Sequence, residues 1–288
     1  MKKYKRVYLE ITNICNLNCS FCPITERDKK YMSLDDFEKS IQKVAPLAEQ
    51  ICLHLMGEPL AHPHFKKIIS LCEKYKAKIQ LTTNGILLKK YKEEILEANC
   101  LHQVNISLQA YMDNYPNKSL EAYLEEVYSF IDSAFNQKPE LYLNLRLWNI
   151  EKNSHDINEP IFKFIEDKLN IEINRNIELA NIKSKRLRNR LYLHFDSRFE
   201  WPRLELPFKS DSGRCNGLID HFAIHADGSV VPCCLDDQKI IRLGNILEEN
   251  VEEILSSERA LRIENGFRNN QLKEDLCQRC SFISRFRK

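Results

Sequence analysis

From residue 7 to residue 173 the chain alternates strand-like and helix-like segments, and this alternation constrains the fold more than any other feature. Strand-like runs occupy 7–11, 51–56, 78–82, 103–108, 141–148 and 171–173. Between them, a helix opens at Ser33, with Asp36 three residues on and Phe37, Ile41, Val44 and Leu47 on one face. Further helical patterns cover 63–75, 87–98, 119–135 and 157–169. With no hairpin signal separating the strands, these segments read as parallel β/α units. Right-handed crossovers then put the helices on one side of a curling sheet. The predicted fold is α/β, a partial (β/α)6 barrel followed by a small C-terminal α+β domain. In such barrels the chemistry sits at the carboxyl ends of the strands.

The 288 residues suit one large domain plus a small one, with 43% hydrophobic residues for the core. The expected division is a barrel over 1–197, a linker over 198–211 containing Pro202 and Pro207, and a second domain over 212–288. A net charge of +2 calls for neither nucleic acid nor an anionic membrane as partner. No apolar run approaches 18 residues, and Met1–Arg6 lead directly into the first strand rather than into a signal peptide. The expected location is the cytoplasm. There, eleven cysteines imply metal or redox chemistry instead of disulfides. Cys52, Cys72 and Cys100 lie in or beside apolar periodic stretches and read as buried bystanders. Lys183–Arg190 holds five basic residues in eight and reads as a solvated helix face or the start of the linker; its other reading is a guide for an acidic or phosphorylated substrate.

Two cysteine groups remain. Cys15, Cys19 and Cys22 form C-x3-C-x2-C directly after the first strand, with Phe21 before the last of them. Three soft thiolates on one short loop select an iron–sulfur cluster or zinc, and no fourth cysteine lies nearby. The second group is Cys215, Cys233, Cys277 and Cys280. Ala226-Asp227-Gly228 signals a hairpin that draws Cys215 and Cys233 to one pole of a site, and the terminal C-x2-C, after a helix from about Val251 to Asn265, closes the other. Spacing alone fits zinc and [4Fe–4S] equally well, and Cys234 competes with Cys233 as ligand. Gly57-Glu58-Pro59 ends the second strand, either as a turn or as a close approach of backbone to a ligand. By position, Thr83, Asn84, Ser107, Gln109, Arg146 and Asn149 face the same mouth, each either a ligand contact or an ordinary loop-capping residue.

The C-x3-C-x-Phe-C motif resembles the signature of the radical S-adenosylmethionine (SAM) superfamily. That resemblance implies a [4Fe–4S] cluster on Cys15, Cys19 and Cys22, whose open iron chelates SAM; one electron then breaks a C–S bond, and a deoxyadenosyl radical takes a hydrogen atom from substrate. Gly57, Glu58 and Pro59 resemble the family's Gly-Gly-Glu-Pro motif, which holds the SAM amino group, although Met56 stands where the first glycine belongs. Thr83, Asn84, Ser107 and Arg146 take the positions of the residues that contact the SAM ribose and carboxylate. The family's glycine-rich adenine segment is not visible in 147–150. Cys-x12-Gly-x4-Cys resembles the opening of a SPASM extension in its shorter "twitch" form, implying one auxiliary [4Fe–4S] cluster on Cys215, Cys233, Cys277 and Cys280. The implied function is oxidation or modification of a C–H position of a small molecule or peptide, with the auxiliary cluster as electron acceptor and a flavodoxin- or ferredoxin-type donor. Starting about six residues before its first strand, the chain is expected to lack a leader-binding domain, which favours a small molecule. A maturase cross-linking a ribosomal peptide is the alternative within the family, and a non-catalytic zinc-binding interaction module the alternative outside it. No general base can be singled out.

Overall fold

The computed structural model describes residues 2–150, 155–179 and 182–286. In chain order the first elements are β1 (Arg6–Leu9), α1 (Leu34–Val44), β2 (Ile51–Cys52), α2 (Phe65–Lys74), β3 (Ile79–Thr83) and α3 (Lys92–Glu97). They are followed by β4 (Leu101–Ser107), α4 (Gln109–Asn114), α5 (Leu120–Gln137), β5 (Tyr142–Leu147), α6 (His155–Leu169), β6 (Ser184–Arg188) and β7 (Leu191–Phe195). The last are β8 (His221–Ile224), β9 (Ser229–Val231), β10 (Gly244–Asn245), α7 (Val251–Leu255), α8 (Glu258–Arg268) and α9 (Asp275–Gln278). The fold is mixed α/β on a mainly parallel sheet. No helix among the described residues is long and apolar enough to cross a membrane.

Two compact units divide the chain. One comprises the described parts of residues 1–15, 23–79 and 199–288. Its strands run in the order β10-β9-β8-β1-β2. β1 lies parallel to both neighbours, with Tyr8 opposite Cys52 and Ala223. Strand periodicity sends Val7, Leu9 and Ile11 into the core, all fully buried, and turns Tyr8 and Glu10 to the other face. Helix α1 begins as expected, with the Ser33 hydroxyl accepting from the Asp36 N–H.

The other unit comprises 16–22 and the described parts of 80–198. β4 and β5 pair in parallel, as do β5 and β7. Leu143, Leu145, Leu147, Leu191, Leu193 and Phe195 are buried on one face. On the opposite face the register aligns Ser107, Arg146 and His194, and one step earlier Asn105, Asn144 and Tyr192. A polar ladder results: Asn105 donates to the Thr82 hydroxyl (3.0 Å), and Asn144 donates to Asn105 (2.9 Å).

Three sequence expectations change. Residues 171–173 form no strand; the parallel neighbour of β5 on that side is β7, and the basic run supplies its antiparallel partner β6 in place of a helix face. A two-residue turn joins them, with Asn189 at φ 48°. The second strand stops at Cys52 instead of Met56, and the Met56 N–H donates to the Glu10 carboxylate (3.1 Å) rather than to a strand neighbour. The single helix expected before the terminal cysteines is two, α7 and α8, broken at Ser256-Ser257, where Ser257 caps α8. The hairpin at Ala226-Asp227-Gly228 forms as β8 and β9, with Gly228 at φ 84°. Residues 198–211 carry no regular element.

Candidate active site

In the first unit, the backbone leading to Cys15 is held by its own side chains. Asn13 donates to the Asp28 carbonyl (2.8 Å) and accepts from the Lys30 N–H (2.7 Å). The Thr12 hydroxyl donates to the Lys30 carbonyl (2.9 Å). Gly57 lies directly against this segment. A Cβ there would stand 2.4 Å from the Thr12 carbonyl oxygen and 2.9 Å from that of Ile14, and Gly57 has φ 74°. The next N–H, that of Glu58, donates to the Ile14 carbonyl (2.9 Å). The buried Glu58 carboxylate accepts from the Leu60 N–H (3.1 Å), capping the 3-10 turn Pro59–Ala61. Thus Gly57-Glu58-Pro59 and the residues before the exposed Cys15 form one backbone-to-backbone cradle.

In the second unit, the loop from Asn16 to Cys22 is fastened to the end of α4. Asn114 donates to Cys19 Sγ (3.1 Å) and accepts from the Asn18 N–H (2.7 Å). Asp113 accepts from both the Ser20 N–H (2.5 Å) and the Ser20 hydroxyl (2.6 Å). The Cys22 N–H donates to the Cys19 carbonyl (3.1 Å). Cys22 and the Asn114 amide together stabilise the Cys19 thiolate, lowering its pKa despite burial and the Asp113 charge. The Arg198 guanidinium lies 3.8 Å from Asp113 and 5.8 Å from the Phe21 ring centroid.

The polar residues after the strands divide by role. Thr83 accepts from the Gly85 N–H (3.1 Å), and Asn84 accepts from the Ile86 N–H (3.1 Å) while donating to Asn16 (2.8 Å). Both therefore shape the turn after β3, and Asn84 also braces the cysteine loop. Ser107 and Arg146 face each other in register, and the guanidinium of Arg146 lies over Trp148 at 4.6 Å. Asn149 does not face a mouth: it exchanges two amide hydrogen bonds with Asn158 on α6 and is buried. Gln109 is 6% exposed, and its buried Oε1 accepts no hydrogen bond from the described residues.

Cys215, Cys233, Cys277 and Cys280 line one cavity, walled for the rest by Asp236 and by apolar side chains including Pro232, Leu235, Phe267 and Leu276. Cys234 is not among the lining residues; with Cys233 and His221 it forms a separate group whose ligand atoms lie within 4.8 Å of one another. Burial and the charge of neighbouring sulfurs raise the thiols of Cys215 and Cys277, and the same causes push Cys280 up to about 11. For Cys233 the hydrogen bond with Cys234 comes first, then burial. Bare thiols therefore stay protonated, and a bound cationic centre is what would draw the protons off. Backbone N–H groups already point at sulfur: Gly217 at Cys215 and Leu235 at Cys233, both at 3.4 Å. Soft donors in a largely apolar cavity with amides aimed at them fit an iron–sulfur cluster.

Residues 9–143 match the radical SAM superfamily, and residues 215–281 match SPASM, an iron-sulfur cluster-binding domain. The chain is a radical SAM enzyme with a SPASM domain. Its cofactors are SAM and two [4Fe–4S] clusters. The enzyme is 28% identical over 273 residues to a probable GTP 3′,8-cyclase of Methanococcus vannielii, a match covering 86% of this chain and 90% of that protein. It is 21% identical to the subtilosin biosynthesis protein AlbA of Bacillus subtilis, over 86% of this chain and 58% of AlbA. Among solved structures, BtrN in complex with AdoMet and 2-DOIA superposes with a TM-score of 0.63 at 17% identity, over 98% of this chain and 94% of that one. Streptococcus suis SuiB bound to precursor peptide SuiA gives a TM-score of 0.64 at 15% identity, over 98% and 71%. At such identities the likeness establishes the fold.

Asp113, Asn114 and Arg198 escaped the sequence reading. Nothing in the string links positions 19 and 114; only the return of the chain after β4 does so. Glu10 was readable as the lone acid within an apolar strand run, a pattern that signals a buried, paired charge.

Proposed function

We propose that the enzyme oxidises an unactivated C–H position of a small molecule or a peptide, with its auxiliary cluster accepting an electron from the substrate. When bound and reduced, the first cluster supplies the electron that cleaves SAM to the hydrogen-abstracting radical. Cys15, Cys19 and Cys22 would hold that cluster, Gly57, Glu58 and Pro59 would receive the SAM amino group, and Thr83, Asn84, Ser107 and Arg146 are the candidates for its ribose and carboxylate, with Phe21 beside the cluster. Gln109 joins this set through its open acceptor.

The observation that carries the acceptor role is the four-cysteine cavity. Four thiolates from Cys215, Cys233, Cys277 and Cys280 complete the coordination and leave no iron free to anchor substrate. Cys233 is favoured over Cys234 because only Cys233 lines the cavity. We read 1–197 as the barrel, 198–211 as the connection and 212–288 as the auxiliary domain. A cytoplasmic setting suits a chain with eleven cysteines, and a flavodoxin- or ferredoxin-type donor suits one-electron reduction of the first cluster.

Replacing Cys280 with alanine is expected to lower bound iron from about eight to about four per chain. Reduced samples should then show the electron paramagnetic resonance signal of one cluster, while deoxyadenosine release continues. Unchanged iron would remove the auxiliary assignment, and complete loss of SAM cleavage would remove the division of labour.

Asn114 offers a finer test. A hydrogen bond to a ligand sulfur stabilises the reduced cluster, so Asn114→Ala should shift the first cluster's potential negative. A net hydrogen bond of ~1 kcal/mol corresponds to about 40 mV for one electron. A redox titration with an unchanged midpoint would contradict this role.

A peptide substrate has support from AlbA, a biosynthesis protein for the bacteriocin subtilosin, and a small molecule from the GTP 3′,8-cyclase relative.

A further inference from the structure

Glu10 is fully buried at the end of β1, within the first unit, and its carboxylate has four donors. Oε1 accepts from Arg27 Nη1 (2.8 Å) and from the Ala226 N–H (3.1 Å). Oε2 accepts from Arg27 Nη2 (2.9 Å) and from the Met56 N–H (3.1 Å). All lone-pair sites of the carboxylate are thereby filled. His225 Nδ1 adds an electrostatic neighbour at 3.7 Å from Oε1, too long for a hydrogen bond.

Each donor comes from a different functional segment. Arg27 lies five residues past Cys22, Met56 immediately precedes Gly57-Glu58-Pro59, and Ala226 opens the hairpin turn that leads to Cys233. Arg27 continues the chain of contacts: its Nε donates to the Asp237 carbonyl (2.6 Å), and the buried Asp237 carboxylate accepts from Nη1 and Nη2 of Arg203. Beside it, Gln238 donates to the Ile24 carbonyl (3.0 Å) and accepts from the Glu26 N–H (3.2 Å). The segment after the first cysteine group and the segment after Cys233 are therefore zipped together. Two acids and two arginines balance the buried charge.

We propose that Glu10 and Arg27 are positioning residues: one buried carboxylate–guanidinium pair fixes the shoulder of the SAM-cluster loop, the Gly57-Glu58-Pro59 cradle and the auxiliary hairpin in a single register. This rests on the reading that the cradle binds SAM. A buried pair contributes little net stability beside an apolar substitute, yet losing one partner strands the other charge. Its role here is geometric coupling of three loops.

The test uses the anaerobically reconstituted enzyme and three variants: Glu10→Gln, Arg27→Met and the double variant. Hydrogen–deuterium exchange and SAM binding are measured on each. In Glu10→Gln, segments 23–31, 53–60 and 225–238 should exchange faster together, with 120–137 unchanged, and SAM binding should weaken about tenfold. The double variant strands no charge and should regain the melting temperature, while the exchange and SAM-binding defects persist. Recovery of SAM affinity with the melting temperature would overturn the proposal, leaving a purely structural pair. Changed exchange in 23–31 alone would overturn it too. If Glu10→Gln fails to fold, Arg27→Lys, which keeps the charge and forfeits the two-pronged grip, is read in the same measurements. Absence of SAM binding in the unaltered enzyme would strike the reading of the cradle, and the exchange data would still decide the coupling.

Discussion

Replacing Cys19 with alanine is expected to abolish SAM cleavage and to lower bound iron from about eight to about four per chain. Cys19 is the middle cysteine of C-x3-C-x2-C, proposed above as a cluster ligand, and the surrounding structure holds it closely. Asn114 donates to its sulfur, Cys22 stabilises its thiolate, and Asp113 and Asn114 hold the backbone on either side through Ser20 and Asn18. Loss of an outer partner of a metal ligand costs about 10–100-fold. Loss of one of only three ligands should exceed ~100-fold, because no other cysteine lies on this loop. Deoxyadenosine release, iron content and the visible cluster absorption are the readouts. An alanine variant with normal iron and normal release would refute the assignment of this loop.

Gly57→Ala is expected to be nearly as damaging through geometry alone. Its Cβ would meet three backbone atoms, at 2.4 Å for the Thr12 oxygen and 2.9 Å for the Asn13 carbon and the Ile14 oxygen. Backbone cannot rotate aside as a side chain can. The left-handed φ of 74° adds about 1–2 kcal/mol for any residue with a Cβ. Because Thr12, Asn13 and Ile14 lead directly into Cys15, relief of the overlap must displace the cysteine loop, the cradle or both. The melting temperature should fall by roughly 5 °C or more, and SAM affinity by at least about tenfold, equivalent to ~1.4 kcal/mol. Gly213→Ala is the matched control: its added Cβ meets only side-chain carbons of Ile283 and Leu272, at 3.4 Å, an ordinary contact. Equal behaviour of the two variants would show that the close approach at Gly57 is unimportant.

The β/α alternation was legible because its strands are short apolar runs separated by amphipathic helices, and five of six fell where the pattern placed them. The sixth misled for a physical reason. Ile171-Glu172-Ile173 has strand-like alternation, yet Leu191–Phe195 alternates as well, with Leu191, Leu193 and Phe195 buried. The basic residues of Ser184–Arg188 concealed a strand because charge suits a strand that pairs on one side with β7, where it also guards against unwanted pairing. Their turn at Asn189 was a hairpin signal that the charge run obscured. The shortened second strand could not be read from its apolar run, since beyond Cys52 that run makes tertiary contacts such as the hydrogen bond from Met56 to Glu10, 46 residues earlier.

The site was legible where covalent spacing decides it and illegible where tertiary contacts do. Cysteine counts and Gly-Glu-Pro marked the two candidate centres. By contrast, Asn149 shares the polar character of ligand residues but pairs with Asn158, and the candidate Thr83 also accepts from the Gly85 N–H. Side-chain type alone does not separate those roles, because the same amide or hydroxyl satisfies a backbone group or a ligand equally well. The Glu10–Arg27 pair was invisible for a related reason: only the fold brings residues 10, 27, 56 and 226 to one carboxylate.

The most direct measurement is made on oxygen-free, fully reconstituted enzyme treated with dithionite and SAM, with chromatography for 5′-deoxyadenosine and methionine. Release of both in equal amounts, from protein carrying about eight irons, is the expected result. Protein with its full complement of iron that never releases deoxyadenosine would contradict the assignment of radical SAM chemistry to this chain.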